Sequence, residues 1–205
     1  PQAFGGRINI FDNMISVPDN SYLYAWEKSL SDSKRNHIPY TIYWQKPRPY
    51  PYEVVYHCSL NSQYTGGGNK ALVDKVFGDL DWRKGNWQGV QDQDCECVVD
   101  LKKKTRIQSV GIHALQDTRS WIFYPKQIQF FVSKDGQSFT ALNAMQNKIS
   151  ELVDTTGVQW FRCSIDARRK YRYVKVIAKN YGKLPNWHPG KGENAFIFVD
   201  EIEVK

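Results

Sequence analysis

Beyond residue 51 the chain alternates apolar and polar positions. Ile128, Phe130 and Val132 recur at every second residue, so an extended chain puts them on one face, and Val174, Val176 and Ala178 repeat the pattern. Six segments rich in β-branched and aromatic residues are predicted strands: 96–101, 107–115, 127–133, 159–165, 171–178 and 196–204. Turn signals divide them, notably Lys134-Asp135-Gly136 and Thr156-Gly157. No strand–helix rhythm accompanies the strands, so the expected class is all-β, a β-sandwich of about eight strands. One stretch departs from the pattern. Leu142, Met145, Ile149 and Leu152 have helical spacing, which predicts a short helix or an irregular strand over 141–153.

Residues 1–50 read differently. They carry Gly5-Gly6, the turn signal Pro18-Asp19-Asn20 and a polar stretch over 29–36. A short helix is expected over 22–30 and a short strand over 40–44. Alternating prolines in Lys46-Pro47-Arg48-Pro49-Tyr50-Pro51 favour a stiff, extended backbone and mark a boundary. The expected division is therefore 1–50, an N-terminal extension or the remnant of a preceding domain, and 51–205, the sandwich. A start at Pro1 without Met is expected of a mature or trimmed fragment.

Composition narrows the function classes. With 41% hydrophobic and 24% charged residues among 205, the chain is ordinary for a globular protein. It contains no apolar run near the roughly 20 residues of a membrane span. A balance of 28 basic against 21 acidic residues gives +7, but the positive charge is dispersed. Its densest clusters, Lys102-Lys103-Lys104 with Arg106 and Arg168-Arg169-Lys170 with Arg172, fall where strands are expected to begin and read as solvated strand ends. A nucleic-acid groove would need basic and stacking residues on one surface, so no nucleic-acid partner is expected. Seven Trp and twelve Tyr exceed what a core requires and suit a surface that stacks on flat apolar ligand faces.

The four cysteines, Cys58, Cys95, Cys97 and Cys163, lack zinc-site spacing. Cys95 and Cys97 share one strand face and are poorly placed to bond each other. Buried thiols are the favoured reading, with a Cys58–Cys163 or Cys95–Cys163 bridge as the alternative.

Four stretches, in this order and spacing, carry a resemblance. They are Gly66-Gly67-Gly68-Asn69-Lys70-Ala71-Leu72-Val73-Asp74; Gly85-Asn86-Trp87-Gln88-Gly89 leading to Val98-Val99-Asp100-Leu101; the segment 127–136 ending Val-Ser-Lys-Asp-Gly and followed by Phe139; and Phe198-Val199-Asp200-Glu201-Ile202. Over about residues 52–205 the chain resembles the discoidin, or coagulation factor 5/8 C-terminal type, family. Within it the chain is similar to the family 32 carbohydrate-binding modules at the C-terminus of bacterial glycoside hydrolases, particularly β-hexosaminidases. The resemblance implies a galactose-binding-like jelly roll that binds sugar at loops on one end of the sandwich. It also implies a structural calcium, although Lys75 stands where the family often has Gly.

The residues support both implications on their own chemistry. Asp74, Asp79 and Asp81 fall within eight residues, and a loop folded on itself there offers oxygens to a hard cation such as calcium. Asp74, Asp79 and the distant Glu201 are the expected side-chain ligands, against the plainer reading of an acidic, solvent-facing turn. For the sugar, three segments place an aromatic beside hydrogen-bonding groups: 82–87, 116–121 and 186–189. Trp against the apolar face of a pyranose and polar groups on its hydroxyl rim is the recognition logic. The expected ligand residues are Trp82, Arg83, Gln116, Asp117, Arg119 and Trp187. Trp87 and Trp121 read better as packing, His113 could face either way, and Arg83 and Arg119 could instead pair with neighbouring aspartates.

No nucleophile elbow, zinc-protease motif or phosphate loop appears, so an enzyme is not expected. The functional expectation is a non-catalytic carbohydrate-binding module that holds a parent glycoside hydrolase near galactose-type or N-acetylhexosamine glycans, in a secreted, periplasmic or cell-surface setting. The alternatives are a structural domain packing on that enzyme without sugar, or a discoidin domain adhesive to lipid or protein.

Overall fold

The computed structural model describes residues 5–9, 22–27, 40–45, 50–148 and 156–205. The chain divides into two compact units, Pro1–Arg48 and Pro49–Lys205.

The first unit holds a three-stranded antiparallel sheet of β1 (Gly5–Asn9), β2 (Tyr22–Glu27) and β3 (Tyr40–Gln45), with β3 central. The helix expected over 22–30 is replaced by β2, which pairs along its whole length with β3, from Tyr22 opposite Gln45 to Glu27 opposite Tyr40. The apolar spacing of this segment also fits a helix. Non-local pairing decides in favour of the strand, as tertiary context often does for short segments.

The second unit is a two-sheet sandwich. One sheet contains β4 (Glu53–Tyr56), β6 (Cys95–Arg106), β8 (Gln127–Ser133), β12 (Lys170–Lys179) and the two-residue strands β9 (Thr140–Ala141) and β10 (Met145–Gln146). Its main path runs β10-β8-β12-β6-β4, and β9 also pairs with β8. The other sheet, in the order β11-β7-β13-β5, is built from β5 (Gln88–Gln91), β7 (Ser109–Asp117), β11 (Thr156–Ser164) and β13 (Phe196–Val204). Every pairing is antiparallel. Setting aside the two short strands, eight remain, as the alternation predicts. In the 141–153 segment the helical spacing yields to irregular strand where it is described, since Met145 pairs with Ile128; residues 149–153 lie outside the described residues.

The alternation packs the core between the sheets. Cys97, Val99 and Leu101 of β6, Ile128 and Phe130 of β8, and Val174 and Val176 of β12 face Val110 and Ile112 of β7 and Ile197, Val199 and Ile202 of β13. All are buried, each contributing about 1.5–3 kcal/mol if it is a large aliphatic or aromatic side chain. A 3-10 turn at Ala71–Val73 sends Leu72 and Val73 into this core, which leaves Asp74 at the turn's C-terminal end. A second cluster of Trp87, Leu115, Ile122 and Phe198 sits outside the β7–β13 sheet.

The first basic cluster is placed differently from expectation. Lys102–Arg106 lies at the end of β6, because β6 continues to Arg106 while its register with β12 slips between Tyr171 and Tyr173. Among the described residues no helix is long and apolar enough to cross a membrane.

Candidate functional site

The chemistry gathers where β13 deforms. Val199 pairs with Ala114, but the next pair is Glu201 with His113, so Asp200 is an extra residue in a bulge. The bulge lets two consecutive carboxylates leave the core while Ile202 returns to it. Both then pin the segment after the 3-10 turn. Glu201 Oε2 accepts from the Lys75 amide at 2.7 Å, and Asp200 Oδ2 accepts from the Gly78 amide at 2.7 Å.

Two features show how tightly that segment is seated. Lys75 adopts φ +64°, the left-handed region that favours glycine, at the position where the resembled family often has Gly. At Gly78 a Cβ would lie 2.1 Å from the Trp87 indole, so only glycine lets the backbone pass. Trp87 is buried, its Nε1 donates to the Asp79 carbonyl at 2.9 Å, and its ring stacks on His113. Trp87 is therefore core, as its sequence context suggests. His113 is buried between Trp87 and Trp160, with Nδ1 2.8 Å from Asp200 Oδ1.

Electrostatically the pair is out of balance. Burial pushes the Glu201 carboxyl up to about 9, and the nearby Asp74 and Asp200 push the same way. Burial also raises Asp200 and Asp74. Glu201 Oε1 is buried without a hydrogen-bond partner. The Lys75 ammonium, 4.2 Å above the Tyr50 ring, lowers the Glu201 carboxyl but does not outweigh burial.

The structure brings Asp74 and Glu201 into electrostatic contact but does not add Asp79 to them. The exposed Asp79 carboxylate accepts from the Asp81 amide at 2.9 Å and from Lys84 Nζ at 2.9 Å. Asp200, which sequence reasoning did not nominate, stands in this neighbourhood instead. Its signal was the adjacent Asp200-Glu201, but without the bulge one of the two would point into the core. Among the described residues no group of three His, Cys, Asp or Glu side chains converges as a ready ligand set. Two carboxylates and backbone carbonyls are what the loop offers a cation.

The aromatic loops divide between two clusters: Trp82 packs on the second, whereas Trp121 and Trp187 sit by a third, made of Phe123, Leu184 and Ala195. Trp82 opens a 3-10 turn, Trp82–Lys84, capped by Asp81. It packs edge-on against Tyr64 and Phe198, and the Arg83 guanidinium lies 4.4 Å over its ring. Arg83 also pairs with Asp81 at 3.3 Å, the neighbour pairing weighed from sequence. Gln116 is buried, its Oε1 accepting from the Tyr124 amide, and so lies inward of the rim.

Asp117 is half-buried and accepts from the Ser120 hydroxyl at 2.7 Å, while Arg119 is exposed. Trp121 is half-buried, packed over Gly190. Trp187 is 39% exposed, the most open of the nominated indoles, beside Phe123 and His188. His188 ties its loop to the 118–120 turn. Its Nδ1 accepts from the Gly190 amide at 3.0 Å, so Nε2 carries the proton and donates to the Thr118 carbonyl at 2.6 Å. Asp117, Arg119 and Trp187 thus stand on two loops joined through one buried histidine, a link the sequence did not reveal.

A family model for the F5/8 type C domain matches residues 57–195. No curated protein matches the chain. Among solved structures, CBM32-1 from a family 31 glycoside hydrolase of Clostridium perfringens is 16% identical, over 77% of this chain and 96% of that one, with a TM-score of 0.48. The C-terminal domain of a chitobiase from Bacteroides fragilis is 15% identical over 75% and 92%, with a TM-score of 0.42. A further C. perfringens module, CpGH89CBM32-5 in complex with GalNAc-β-1,3-galactose, is 14% identical over 75% and 94%, with a TM-score of 0.46.

Proposed function

We propose, from the premise that the chain belongs to the F5/8 type C domain family, that its second unit binds carbohydrate and holds an attached glycoside hydrolase near its glycan. The family consists of non-catalytic binding domains, so the chain is a binding domain and not an enzyme. The single observation that carries the sugar reading is Trp187. It is a large, open indole on a loop fastened by His188 to the turn that presents Asp117 and Arg119. An exposed ring next to a donor and an acceptor on a stiffened support is what a weak sugar site requires.

In this reading Trp187 stacks on the apolar face of a galactose-type or N-acetylhexosamine residue. Arg119 and Arg83 donate to hydroxyls and Asp117 accepts. Trp82 supports Arg83 from below, and Gln116 holds the loop base. Affinity is weak, and tethering to the enzyme does the useful work. The setting is outside the cytoplasm, where such glycans are met.

The second part of the proposal is a structural calcium at the 72–81 loop, held by Asp74, Glu201 and backbone carbonyls. The fit rests on the partnerless Glu201 Oε1 and the raised carboxyls beside it. A bound dication supplies the positive charge these oxygens lack and pins the loop. Asp79 joins the set only if it leaves Lys84.

The test is a glycan array followed by titration of the best hit with Trp187→Ala, after confirming that the variant melts like the parent. Loss of a stacked indole costs about 1–3 kcal/mol, so a weak binder becomes undetectable. Equal affinity in parent and variant would place the site elsewhere, and an array with no hit favours the structural alternative.

A further inference from the structure

The ladder between β4 and β6 continues one step past the end of β4 and finishes on two thiols. Its register runs from Glu53 opposite Asp100 to Tyr56 opposite Cys97, and the His57 amide then donates to the Glu96 carbonyl at 2.9 Å. Extending that register by one residue places Cys58 across from Cys95, and directly opposed residues of an antiparallel pair lie about 4.5–5.5 Å apart at Cα, within the roughly 4.4–6.8 Å that a disulfide spans. The two sulfurs are in hydrogen-bond contact, and the Glu96 backbone adds a second bond to Cys58.

The two thiols differ in character. Cys95 is fully buried, whereas Cys58 is half-buried at the edge of the core. The hydrogen bond from Cys95 lowers the Cys58 thiol to about 7 against the opposing effect of its burial, and that bond together with burial drives Cys95 well up. One thiol is thus prepared to attack and the other to follow.

We propose that Cys58 and Cys95 form a dithiol site that a low-molecular-weight disulfide converts into a cross-strand bridge. The Cys58 thiolate attacks one sulfur of oxidised glutathione; a Cys58–glutathione bond forms as the glutathione S–S bond breaks and releases one thiolate. Cys95 gives up its proton, attacks the Cys58 sulfur and expels the second glutathione thiolate. The protein loses two electrons and two thiol protons, and oxidised glutathione becomes two molecules of the thiol. The bridge closes the base of the whole segment from Ser59 to Asp94, which carries both the Asp74–Gly78 strap and Trp82. It therefore restricts the unfolded freedom of the loops that hold the candidate sites. The inference stands on the β4–β6 register and does not depend on sugar or calcium binding.

The test treats the reduced, folded full-length chain with oxidised glutathione, then combines thiol titration, non-reducing peptide mapping and a melting curve. The expected result is a thiol titre lower by two, a peptide joining Cys58 to Cys95, and an upward Tm shift that dithiothreitol reverses. The reaction rate should rise as pH increases through 7 and vanish in Cys58→Ser, while Cys97→Ser still forms the bridge. Cys95→Ala should accumulate glutathione on Cys58; if that variant does not fold, the parent map alone decides. An unchanged titre, glutathione retained on Cys58 in the parent chain, or a bridge to Cys97 or Cys163 overturns the assignment.

Discussion

Where β6 meets β12, Asp100 accepts two hydrogen bonds at 2.8 Å from the Arg172 guanidinium; at the bulge of β13, Glu201 accepts one, from the Lys75 backbone amide. Both carboxylates have left much of their water, Asp100 with 15% of its side chain exposed and Glu201 with 2% of the residue exposed. The first finds its counter-charge one strand away, and that guanidinium holds its carboxyl below the usual range. The second has other carboxylates for neighbours, and burial holds it high. Both carboxylates lie beside a break in strand register: Arg172 falls in the slip of β12 between Tyr171 and Tyr173, as Asp200 falls in the bulge of β13. The irregularity in β12 turns a guanidinium towards its carboxylate, whereas the one in β13 turns two adjacent carboxylates towards backbone amides.

The most severe way to break this contrast is to unseat the loop at the bulge. Gly78→Ala drives a methyl group into the Trp87 indole. It should cost about 3 kcal/mol by overpacking and, by freeing the Gly78 amide from Asp200, abolish any response to calcium. Denaturant titration with and without the ion checks both. A variant as stable as the parent would show that the strap moves freely.

Supplying the missing charge is the next test. Calcium at about one hundred times its Kd should stabilise the protein by about 2.7 kcal/mol, and Glu201→Gln should remove that gain. If the melting temperature of the parent is the same in calcium and in chelator, the calcium proposal fails.

The smallest effects are the most telling about sign. Asp100 titrates below its ordinary 3.8 in the fold, so its contribution is complete above that pH and is lost as pH falls beneath it. Asp100→Asn should cost about 1 kcal/mol at neutral pH, with the gap to the parent closing in acid. Glu201 runs the other way. Its folded value near 9 lies above its ordinary 4.5, so in chelator stability is full below 4.5 and declines as pH rises towards 9. Glu201→Gln should flatten that decline. If the Asp100→Asn and Glu201→Gln variants depart from the parent with the same pH slope, read from melting temperature against pH, the comparison dissolves.

How much of this could be read from the chain depends on how local each feature is. Segments 127–133 and 196–204 coincide with β8 and β13 because a half-buried strand needs only its own alternation to be recognised. Glu53–Tyr56 is an edge strand of four residues with half-exposed positions, and too little alternation marks it. The cross-strand neighbours of Cys58 and Cys95 were hidden with it. Instead, pairing with the distant Cys163 was weighed, which lies on β11 of the other sheet. At the rim the residue types were visible and their depth was not. Trp82 and Trp187 look alike in sequence, yet one is wedged between Tyr64, Phe198 and Arg83 and the other stands open.

By itself, then, the order of apolar and polar residues determined a two-sheet sandwich, the faces of its long strands and the loops rich in aromatic and acidic groups. These follow from a period of two and from turn chemistry, which act within a few residues. The tertiary structure alone decided that Asp200 is an extra residue, so that Asp200 and Glu201 both reach the strap at Lys75 and Gly78, and that Asp79 turns away to Lys84. Those outcomes depend on which residue stands opposite which across a hundred positions of chain. A one-residue slip reverses the face of every side chain beyond it.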